Sequence, residues 1–543
     1  MDMKNIKIVT AAALLLVAGV TSCTKDLDVT PIDPSSTMTP SEPELFTKCY
    51  ATMALAGNYG GDGDCDIDRL DGGTTGFVRQ LFNANELTTD EAICAWGDPG
   101  IPEFNYDTWG SSHPMLEGFY NRLYASIAYC NHYLDVCSGV DETRTAEVRF
   151  LRAMYYYHLM DCFGNVPFAT QLMSTSPEQI QRTDLFKWIE SELLEVKDQM
   201  QAPVARTSNS DGYGRADQDA ANQLLARLYL NANVYLELGS ESPDYQEYLR
   251  QAKSYAEQVI NGPHKLWTGG TNGWSAYQML FMGDNGENGS SVEAVLPLLG
   301  DGVTTTSYGT SMFLMSSAWK ADMDINGDFG MVEKFWAGNR ARHQLVQKFF
   351  PRDDAPEASI NDMPVAAGDD RALFHSIDRT VAVTTPGEFA SGFSVGKFRN
   401  TYSTGATPHS TNFPDADYFL MRSAECYLIA AEADARLNGG ITTEGTKYIN
   451  ALRQRANKSQ QYSSYDLDQI LDERSRELYW EGFRRTDLIR YGYFAGENSG
   501  GDHAWEWKGG SQNGAALPPY RNLFAIPSSD MTANPNLTQN PGY

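Results

Sequence analysis

The segment TAEVRFLRAMYYYHLMDCFG, residues 145–164, decides the fold class because its apolar residues recur at spacings of three and four. That period is typical of an α-helix with a buried face. Gly164 ends the pattern, and Pro167 follows it, as is common beyond a helix C-terminus. The sequence therefore predicts a helix that ends at Gly164.

Helical periodicity continues on both sides of this segment. Together the periodic segments form a block over about 115–260, and a second block covers 416–494. Two neighbouring helices of the first block are expected to be antiparallel partners, with small residues where they cross: Ala221, Ala226, Ala252 and Ala256. Helix pairs of this kind are similar to tetratricopeptide-type repeats.

The region between the blocks, about 265–415, is rich in Gly, Asn, Asp, Ser and Thr. Short β-like runs occur in it (VEAVLPLL, TVAVTT and GFSVGKF), and the only long helix is predicted near 331–349. We interpret this region as a loop-rich, partly β cap on an otherwise all-α body. Long ordered loops on a rigid scaffold are where ligand sites concentrate.

Composition narrows the classes of function. The chain has 543 residues, of which 42% are hydrophobic, so it can build a large core. Its formal net charge of -28 disfavours nucleic acid and electrostatic docking on anionic membranes. The 10 Trp, 29 Tyr and 24 Phe are a large stock of flat rings, which favours neutral polyhydroxylated ligands.

The N-terminus resembles a bacterial lipoprotein leader. Lys4 and Lys7 precede an apolar stretch at 8–20, and small residues lead directly to Cys23. We expect residues 1–22 to be a signal peptide and Cys23 to be lipidated. Residues 23–42 would then be a flexible tether, and 43–543 a single domain attached to the membrane only through lipid.

Three common catalytic motifs are absent from the sequence: GxxxxGK[ST], HExxH and a helix-opening GxGxxG do not occur. The segment DERSRELYWEGFRRTDL (472–488) is predicted to be one helix held by ion pairs. The expected pairs are Glu473 with Arg476, Glu477 with Arg474, and Glu481 with Arg484 and Arg485. Seventy acidic residues leave room for a glycosidase-type carboxylate pair, so a surface glycosidase stays a third alternative.

Several segments resemble signatures of the SusD/RagB family of surface glycan-capture lipoproteins. RFLRAMYYYHLMDCFGNVPF (149–168) resembles the hallmark helix of the family. YFLMRSAECYLIAAEADARLNGG (418–440) and ELYWEGFRRTDLIRYG (477–492) resemble its two C-terminal signatures, and NPNLTQNPGY (534–543) its closing sequence. The likeness is strongest to starch-binding members, for example in FNANELTTDEAICAWGDPGIPEFNYDTW (82–109).

The resemblance implies an all-α body of about four tetratricopeptide-like helix pairs with a loop-rich cap. It implies a non-catalytic protein that needs no cofactor, is anchored by lipid in the outer membrane and faces the cell exterior. Its partners would be α-glucan oligosaccharides or starch and a TonB-dependent, SusC-like transporter on which it sits as a lid. The alternatives are another glycan, such as fructan, or oligopeptides, captured by the same lid mechanism.

The resemblance also implies a binding site of three rings and polar partners. Trp96 (in ICAWGDPGIP), Tyr308 (in DGVTTTSYG) and Trp336 match the rings. Asp71 and Arg79, both in DGGTTGFVR, match two polar partners.

This sequence departs from the family in two places. Asp98 and Pro99 stand where the family has an asparagine shortly after the first ring, and the segment 310–335 differs throughout. The first departure affects one hydrogen bond to the ligand. The second affects the length or linkage of the ligand that the site accepts.

The chemistry of sugars supports such a site independently. One face of a glucose ring carries C–H groups that pack flat on an aromatic ring, and its hydroxyls need directional partners such as Asp and Arg. A curved row of rings prefers a curved chain, as α-1,4-linked glucan is. Binding is expected to be weak, because ordering a flexible polymer offsets much of the contact energy.

The segment DMDINGDFGMVE (322–333) satisfies the pattern D-x-[DN]-x-[DN]-G-x5-E of a calcium loop. Gly327 would make the turn, and all-oxygen ligation suits a hard cation. The candidate ligands are Asp322, Asp324, Asn326, Asp328 (through its carbonyl) and Glu333. A solvated loop is the alternative, and a bound ion would order the segment directly before Trp336.

Overall fold

The computed structural model describes residues 41–57, 61, 65–68, 70–323, 327, 329–330, 335–458 and 460–543. Phe46–Tyr543 forms one compact unit. Met1–Leu45 is a separate unit, of which only residues 41–45, at the start of the first helix, are described. The expected signal peptide, Cys23 and most of the expected tether therefore lie outside the described residues.

Nineteen α-helices occur in the described part of the chain. They are α1 Glu42–Ala54, α2 Gly72–Thr75, α3 Phe77–Asn85, α4 Ile101–Asn105, α5 Pro114–Cys137, α6 Glu142–Phe163, α7 Arg182–Val196, α8 Gln218–Leu230, α9 Ala232–Tyr235, α10 Pro243–Asn261, α11 Ala276–Met279, α12 Ser311–Ser316, α13 His343–Gln347, α14 Met363–Ala367, α15 Ser423–Asn438, α16 Thr443–Arg455, α17 Leu467–Leu478, α18 Arg484–Tyr491 and α19 Ser528–Ala533. Short 3₁₀ turns lie at Lys197–Gln199, Ser290–Glu293, Ala321–Met323, Gly501–His503, Lys508–Gly510 and Pro519–Asn522.

Eight short strands form four antiparallel two-stranded sheets among the described residues. The strands are β1 Ala92–Cys94, β2 Val166–Pro167, β3 Gln179–Ile180, β4 Ala294–Leu298, β5 Asn339–Ala341, β6 Phe374–His375, β7 Ser394–Val395 and β8 Tyr418–Arg422. The pairs are β1 with β5, β2 with β3, β4 with β8, and β6 with β7. The fold is helix-dominated with a partly β cap, as the sequence predicts. Strands β4 to β7 lie within the cap at 265–415, and the other four described strands lie outside it.

The helix that decides the fold lies at the centre of the first block. α6 packs against α5 and α7, and 17 of its 22 residues are buried. A helix covered on several sides carries apolar residues on more than one face, which explains its broad hydrophobic pattern. It ends at Gly164, whose φ of 73° suits glycine, as predicted.

Close packing through small residues joins the two helical blocks. α10 packs against both α8 and α15. The four alanines predicted at the crossing of α8 and α10 are all fully buried. Because alanine has only a methyl side chain, the helix axes can approach closely, and the predicted pairing of these helices is confirmed.

Two expectations for the cap were wrong. The helix predicted over 331–349 is absent from its described part, 335–349, where β5 and the five-residue helix α13 stand instead. The backbone N–H of Trp336 donates to the carbonyl of Ser316 at 2.7 Å, so this segment is held by tertiary contacts outside a helix. The run TVAVTT contributes only an isolated bridge at Thr380, whereas strands form within VEAVLPLL and GFSVGKF.

The prediction of a single helix over 472–488 was also wrong. α17 ends at Leu478 and α18 begins at Arg484. Between them Trp480 and Gly482 have φ values of 68° and 83°, which no α-helix accommodates.

The ion pairs of this segment are therefore tertiary. Glu473 meets Arg476 at 2.8 Å, as predicted. Glu477 instead meets Arg422 at 2.7 Å, and it also accepts from Arg371 and Arg455. These groups are buried, so the charges that the sequence suggested for a helix surface form an internal network.

The remaining predicted pairs are replaced in the same way. Arg474 pairs with Asp487 at 2.8 Å, and Arg484 with Asp90 at 2.6 Å. Glu481 meets Lys397 at 2.6 Å and Arg422 at 2.7 Å. Arg485 donates to the carbonyl of Asn522.

Six of the seven cysteines that the structure describes are buried free thiols, and Cys65 is half-buried. Buried thiols of this kind pack as small hydrophobic residues. Within the same residues, no helix is long and apolar enough to cross a membrane.

Candidate functional site

The pairing of β1 with β5 brings the first and third predicted rings together. In the register Cys94 lies opposite Asn339, and the N–H of Ala95 donates to the carbonyl of Gly338 at 2.9 Å. Trp96 follows β1 and Trp336 precedes β5, so the antiparallel ladder places both beyond the same end. The indole N–H of Trp96 donates to the carbonyl of Trp336 at 2.8 Å.

Tyr308 reaches the same place through a loop that is fixed at both ends. At its start, the carboxylate of Asp301 accepts backbone N–H groups from Val303, Thr304 and Thr305 at 2.7–3.0 Å. At its end, the carbonyl of Gly309 accepts the N–H of Arg79 at 3.1 Å.

Gly76 and Gly309 let this loop approach α3 closely. A Cβ atom on Gly76 would lie only 2.8 Å from the Cα of Gly309. This contact ties the element that carries Tyr308 to the helix that carries Arg79.

The three rings form a row with Trp336 in the middle. Its ring centroid lies 6.4 Å from that of Trp96 and 5.8 Å from that of Tyr308. The ring planes of Trp96 and Tyr308 are inclined to that of Trp336 by 59° and 64°. All three side chains are half-buried, so each ring is held by the protein and keeps part of its surface in solvent. We call Trp96, Trp336 and Tyr308 the aromatic row.

Arg79 stands behind the row. Its guanidinium carbon lies 5.7 Å from the ring centroid of Trp96 and 5.2 Å from that of the buried Phe313. Burial lowers the pKa of Arg79, while the carboxylates of Asp71 and Asp98 oppose that shift. No described residue accepts a hydrogen bond from its buried Nε–H. The side chain thus supports one ring and keeps donor capacity.

Asp71 is exposed and fixed by local structure. It caps α2, and its carboxylate accepts both the N–H and the hydroxyl of Thr74, at 2.9 and 3.1 Å. Gly73 lies between Asp71 and Arg79, since a Cβ atom there would be 3.0 Å from Asp71 Oδ1 and 2.7 Å from Arg79 Nη1. An acceptor and a donor therefore flank the same glycine.

Three features of this site were missed by sequence reasoning. Phe413 is half-buried beside Tyr308, with centroids 5.4 Å apart, and extends the line of rings. Phe313 backs Trp96, at 6.2 Å. Gly338 makes room for Trp96, because a Cβ atom there would be 2.3 Å from Trp96 Cε2. Only tertiary structure brings these residues to the row, and no local motif marks them.

The calcium hypothesis falls mainly on residues that the structure does not describe. Asp324, Asn326, Asp328 and Glu333 lie outside the described residues. Asp322 is described, is exposed and pairs with Lys320 at 2.6 Å. Among the residues whose positions are described, no cluster of three or more His, Cys, Asp or Glu could hold a metal ion.

Flat, partly exposed rings that are inclined to one another can pack on the C–H faces of successive units of a curved ligand. The acceptor at Asp71 and the donor at Arg79 can hydrogen-bond to groups at the ligand edge. A row of this kind on a rigid helical body is typical of a ligand-binding protein.

Comparisons with known proteins agree with this class. A sequence model of the SusD family matches residues 267–543, and one described as starch-binding associating with outer membrane matches 85–230. The chain is 37% identical to the starch-binding protein SusD of Bacteroides thetaiotaomicron, over all of both chains. It is 25% identical to SusD-like protein P25 of Formosa agariphila, over 78% of each chain.

Solved structures share the fold. A SusD superfamily protein from Parabacteroides distasonis superposes with a TM-score of 0.65 at 19% identity, covering 94% of this chain and 100% of that one. A laminarin-binding SusD-like protein gives a TM-score of 0.63 at 21% identity, covering 92% and 99%. The chain belongs to the SusD family, whose members bind carbohydrate and are not enzymes.

Proposed function

We propose that this protein captures starch and other α-glucan oligosaccharides on the aromatic row and delivers them to a TonB-dependent, SusC-like transporter in the outer membrane. The observation that carries the proposal is the convergence of Trp96, Trp336 and Tyr308, which are far apart in sequence, into one partly exposed row of inclined rings. Full-length similarity to a starch-binding relative supports α-glucan as the ligand.

The geometry of the row favours a bent polymer. Neighbouring ring planes are inclined by about 60°. A chain that turns from one unit to the next can keep a sugar face on each ring, whereas a straight, flat chain cannot. Asp71 would accept hydrogen bonds from sugar hydroxyls, and Arg79 would donate to their oxygens.

Asp98 and Pro99 change the hydrogen-bonding groups at the edge of the site beside Trp96. Both are exposed, and the carboxylate of Asp98 acts on the charge of Arg79. A carboxylate only accepts hydrogen bonds, whereas the amide of the family asparagine also donates. The sugar hydroxyl at this edge would therefore act as the donor.

Affinity gel electrophoresis tests the ligand. In native gels containing starch, dextran, levan or no polysaccharide, we expect starch to retard the protein. Trp96→Ala should abolish the retardation, because it removes one end of the row. Trp188→Ala is the matched control, since Trp188 is a half-buried tryptophan whose ring neighbours are Tyr156 and Phe168.

Each outcome of that gel has a defined meaning. Retardation by levan or dextran but not by starch would move the proposal to another glycan. If none of the polysaccharides retards the protein, the result would favour an oligopeptide ligand. Release of reducing sugar from starch by the purified protein would contradict a non-catalytic role.

Lipid anchoring through Cys23 is a second part of the proposal. Its support is the leader sequence that ends at Cys23. Metabolic labelling with palmitate should mark the wild-type chain and not a Cys23→Ser variant. Labelling of the variant would contradict this anchor.

Delivery to a transporter is the third part. A tagged chain extracted from the outer membrane in mild detergent is expected to retain a large TonB-dependent receptor. Protease added to intact cells should cleave the anchored chain, because it would face the cell exterior. Recovery of the chain alone, or protection from protease, would contradict these expectations.

The loop at 322–333 remains a candidate calcium site by its sequence pattern. Equilibrium dialysis of the purified protein against calcium, with Glu333→Gln as the comparison, decides the matter. A site that occupies this loop should bind one ion, and the variant should lose it. No bound calcium in the wild-type protein would leave a solvated loop.

A further inference from the structure

A large open cavity lies away from the aromatic row, where the loop at 268–275 faces α14 and α16. Its volume is about 1320 Å³. None of the residues that line it belongs to the aromatic row or to the polar pair beside it. The cavity exceeds the range of roughly 300–1,000 Å³ usual for small-molecule sites, and it can take a molecule of several rings.

The loop is built to present Trp274 to this cavity. Asn272 and Gly273 have φ values of 53° and 86°, which give a tight two-residue turn. Across the turn, Thr271 and Trp274 exchange backbone hydrogen bonds of 3.1 and 2.8 Å. A Cβ atom on Gly270 would lie 2.6 Å from the carbonyl oxygen of Trp274, so the backbone closes tightly there. The position of Trp274 is fixed before any ligand arrives.

A buried cation supports the Trp274 ring. The guanidinium carbon of Arg399 lies 5.1 Å from the ring centroid. Arg399 is only 1% exposed, whereas Trp274 is half-buried and lines the cavity. The ring therefore has a backed, rigid position and a part that meets solvent.

The polar groups of the cavity are mostly uncharged. Side-chain amides line it at Gln278, Asn361, Gln454 and Asn457. Amides both donate and accept hydrogen bonds, which suits hydroxyl groups.

The cationic groups at the cavity are already occupied. Arg455 is neutralised by Glu293 at 3.0 Å and by Glu477. Its buried Nε–H has no acceptor in the described part of the chain, which leaves one donor. Lys265 donates to the carbonyl of Ile260. Since the chain also carries a net charge of -28, an anionic ligand is disfavoured.

We propose that this cavity is a second carbohydrate site, which takes a neutral oligosaccharide on Trp274 with its hydroxyls on the surrounding amides. The proposal goes beyond capture on the aromatic row, and it does not depend on that row. The cavity combines a backed indole with several side-chain amides, and its charged lining residues, Lys265, Arg455 and Asp370, carry both signs. This combination suits an uncharged polyol.

Fluorine NMR of the purified protein labelled with 5-fluorotryptophan tests the two sites separately. The Trp274 resonance is assigned with Trp274→Phe, and those of the row with Trp96→Phe and Trp336→Phe. On titration with maltoheptaose to millimolar concentration, we expect the Trp274 resonance to shift and saturate. The same shift should persist in Trp336→Ala, and the Trp188 resonance should not move.

Gln454→Ala provides a second measurement that leaves the fold unchanged, because Gln454 is exposed on α16. It should raise the concentration at the midpoint of the Trp274 shift several-fold and leave the shifts of the row unaltered. Laminariheptaose and a fructo-oligosaccharide are titrated in parallel to find the preferred sugar.

The outcomes separate this proposal from the proposed function. If the resonances of the row shift and the Trp274 resonance does not shift with any of the three sugars, the second site is refuted and capture on the row stands. If Trp274 moves only when the row is intact, its shift is transmitted from the row, and the second site is again refuted. If Trp274 alone moves, the cavity binds sugar and the row does not.

Discussion

At the scale of single residues, the position of the Trp96 ring in the aromatic row depends on a glycine, Gly338, which has no side chain. A Cβ atom there would lie 2.3 Å from Trp96 Cε2, well inside contact distance. We predict that Gly338→Ala displaces the Trp96 ring, weakens retardation by starch and destabilises the fold by about 1–3 kcal/mol through overpacking.

The control for Gly338→Ala is Gly97→Ala, directly beside Trp96. A Cβ atom on Gly97 has nothing within 4 Å, so this variant should migrate and melt like the wild type. If starch retards Gly338→Ala as strongly as the wild type, the position of the Trp96 ring is not important for starch binding.

Asp417 is a residue whose environment predicts a pH dependence. It is buried, and it accepts the Tyr213 hydroxyl at 2.6 Å and the N–H of Gly300 at 2.8 Å. Burial raises its pKa from 3.8 to about 7. The folded protein thus holds the proton more tightly than the unfolded chain does.

The sign of the pH effect follows from that shift. The stabilisation from the protonated form is fully present below pH 3.8 and is lost as pH rises to about 7. Its size is on the order of 4 kcal/mol. Urea unfolding across this pH range measures the effect. The free energy of unfolding of Asp417→Asn should decline less steeply with rising pH than that of the wild type. An equal decline in both proteins would mean that Asp417 does not carry the effect.

At the scale of elements, the network around Glu477 links α15, α16 and α17 to one another. Glu477 on α17 meets Arg422, just before α15, and Arg455 on α16. We predict that Glu477→Gln destabilises the protein by about 3–5 kcal/mol, because it leaves buried guanidinium groups under-compensated. Chemical denaturation measures the loss.

Glu444→Gln is the matched control for that network. Glu444 pairs with Lys447 at 2.7 Å on α16, but both side chains are more than half exposed. Its loss should change the free energy of unfolding by less than about 1 kcal/mol. Equal effects of the two variants would contradict a special role for the buried network.

The loop that carries Tyr308 is a second element with a testable role. Asp301 holds its first turn through three backbone N–H groups. We predict that Asp301→Ala frees this loop and weakens maltoheptaose binding several-fold in calorimetry, with little change in melting temperature. Binding as tight as that of the wild type would show that the loop is held by its other contacts alone.

Sequence reasoning succeeded and failed for physical reasons at this scale. The long helices α5, α6, α8 and α10 were predictable because burial of a face imposes a local period. The break at Trp480 was not, because the segment keeps helical residue types and the buried partners of Glu481, Lys397 and Arg422, come from distant parts of the sequence. The strand β5 was missed for the same reason, since its partner β1 lies far away in sequence.

At the scale of the whole molecule, the fold class followed from local patterns, and the site did not. The rings and polar partners came from resemblance to a family, because no local rule links positions 96, 308 and 336. The structure adds the β1–β5 ladder and the Gly76–Gly309 contact, which explain how these residues meet. The contact of Phe413 with Tyr308 and the cavity at Trp274 could not be predicted from the sequence, because distant segments meet at both.

Sugar capture on the aromatic row is tested most directly by a crystal structure of the protein grown with maltoheptaose. We predict glucose units stacked along Trp96, Trp336 and Tyr308, with hydroxyls bonded to Asp71 and Arg79. An empty row in crystals grown with millimolar maltoheptaose, or sugar bound only elsewhere, would contradict this prediction.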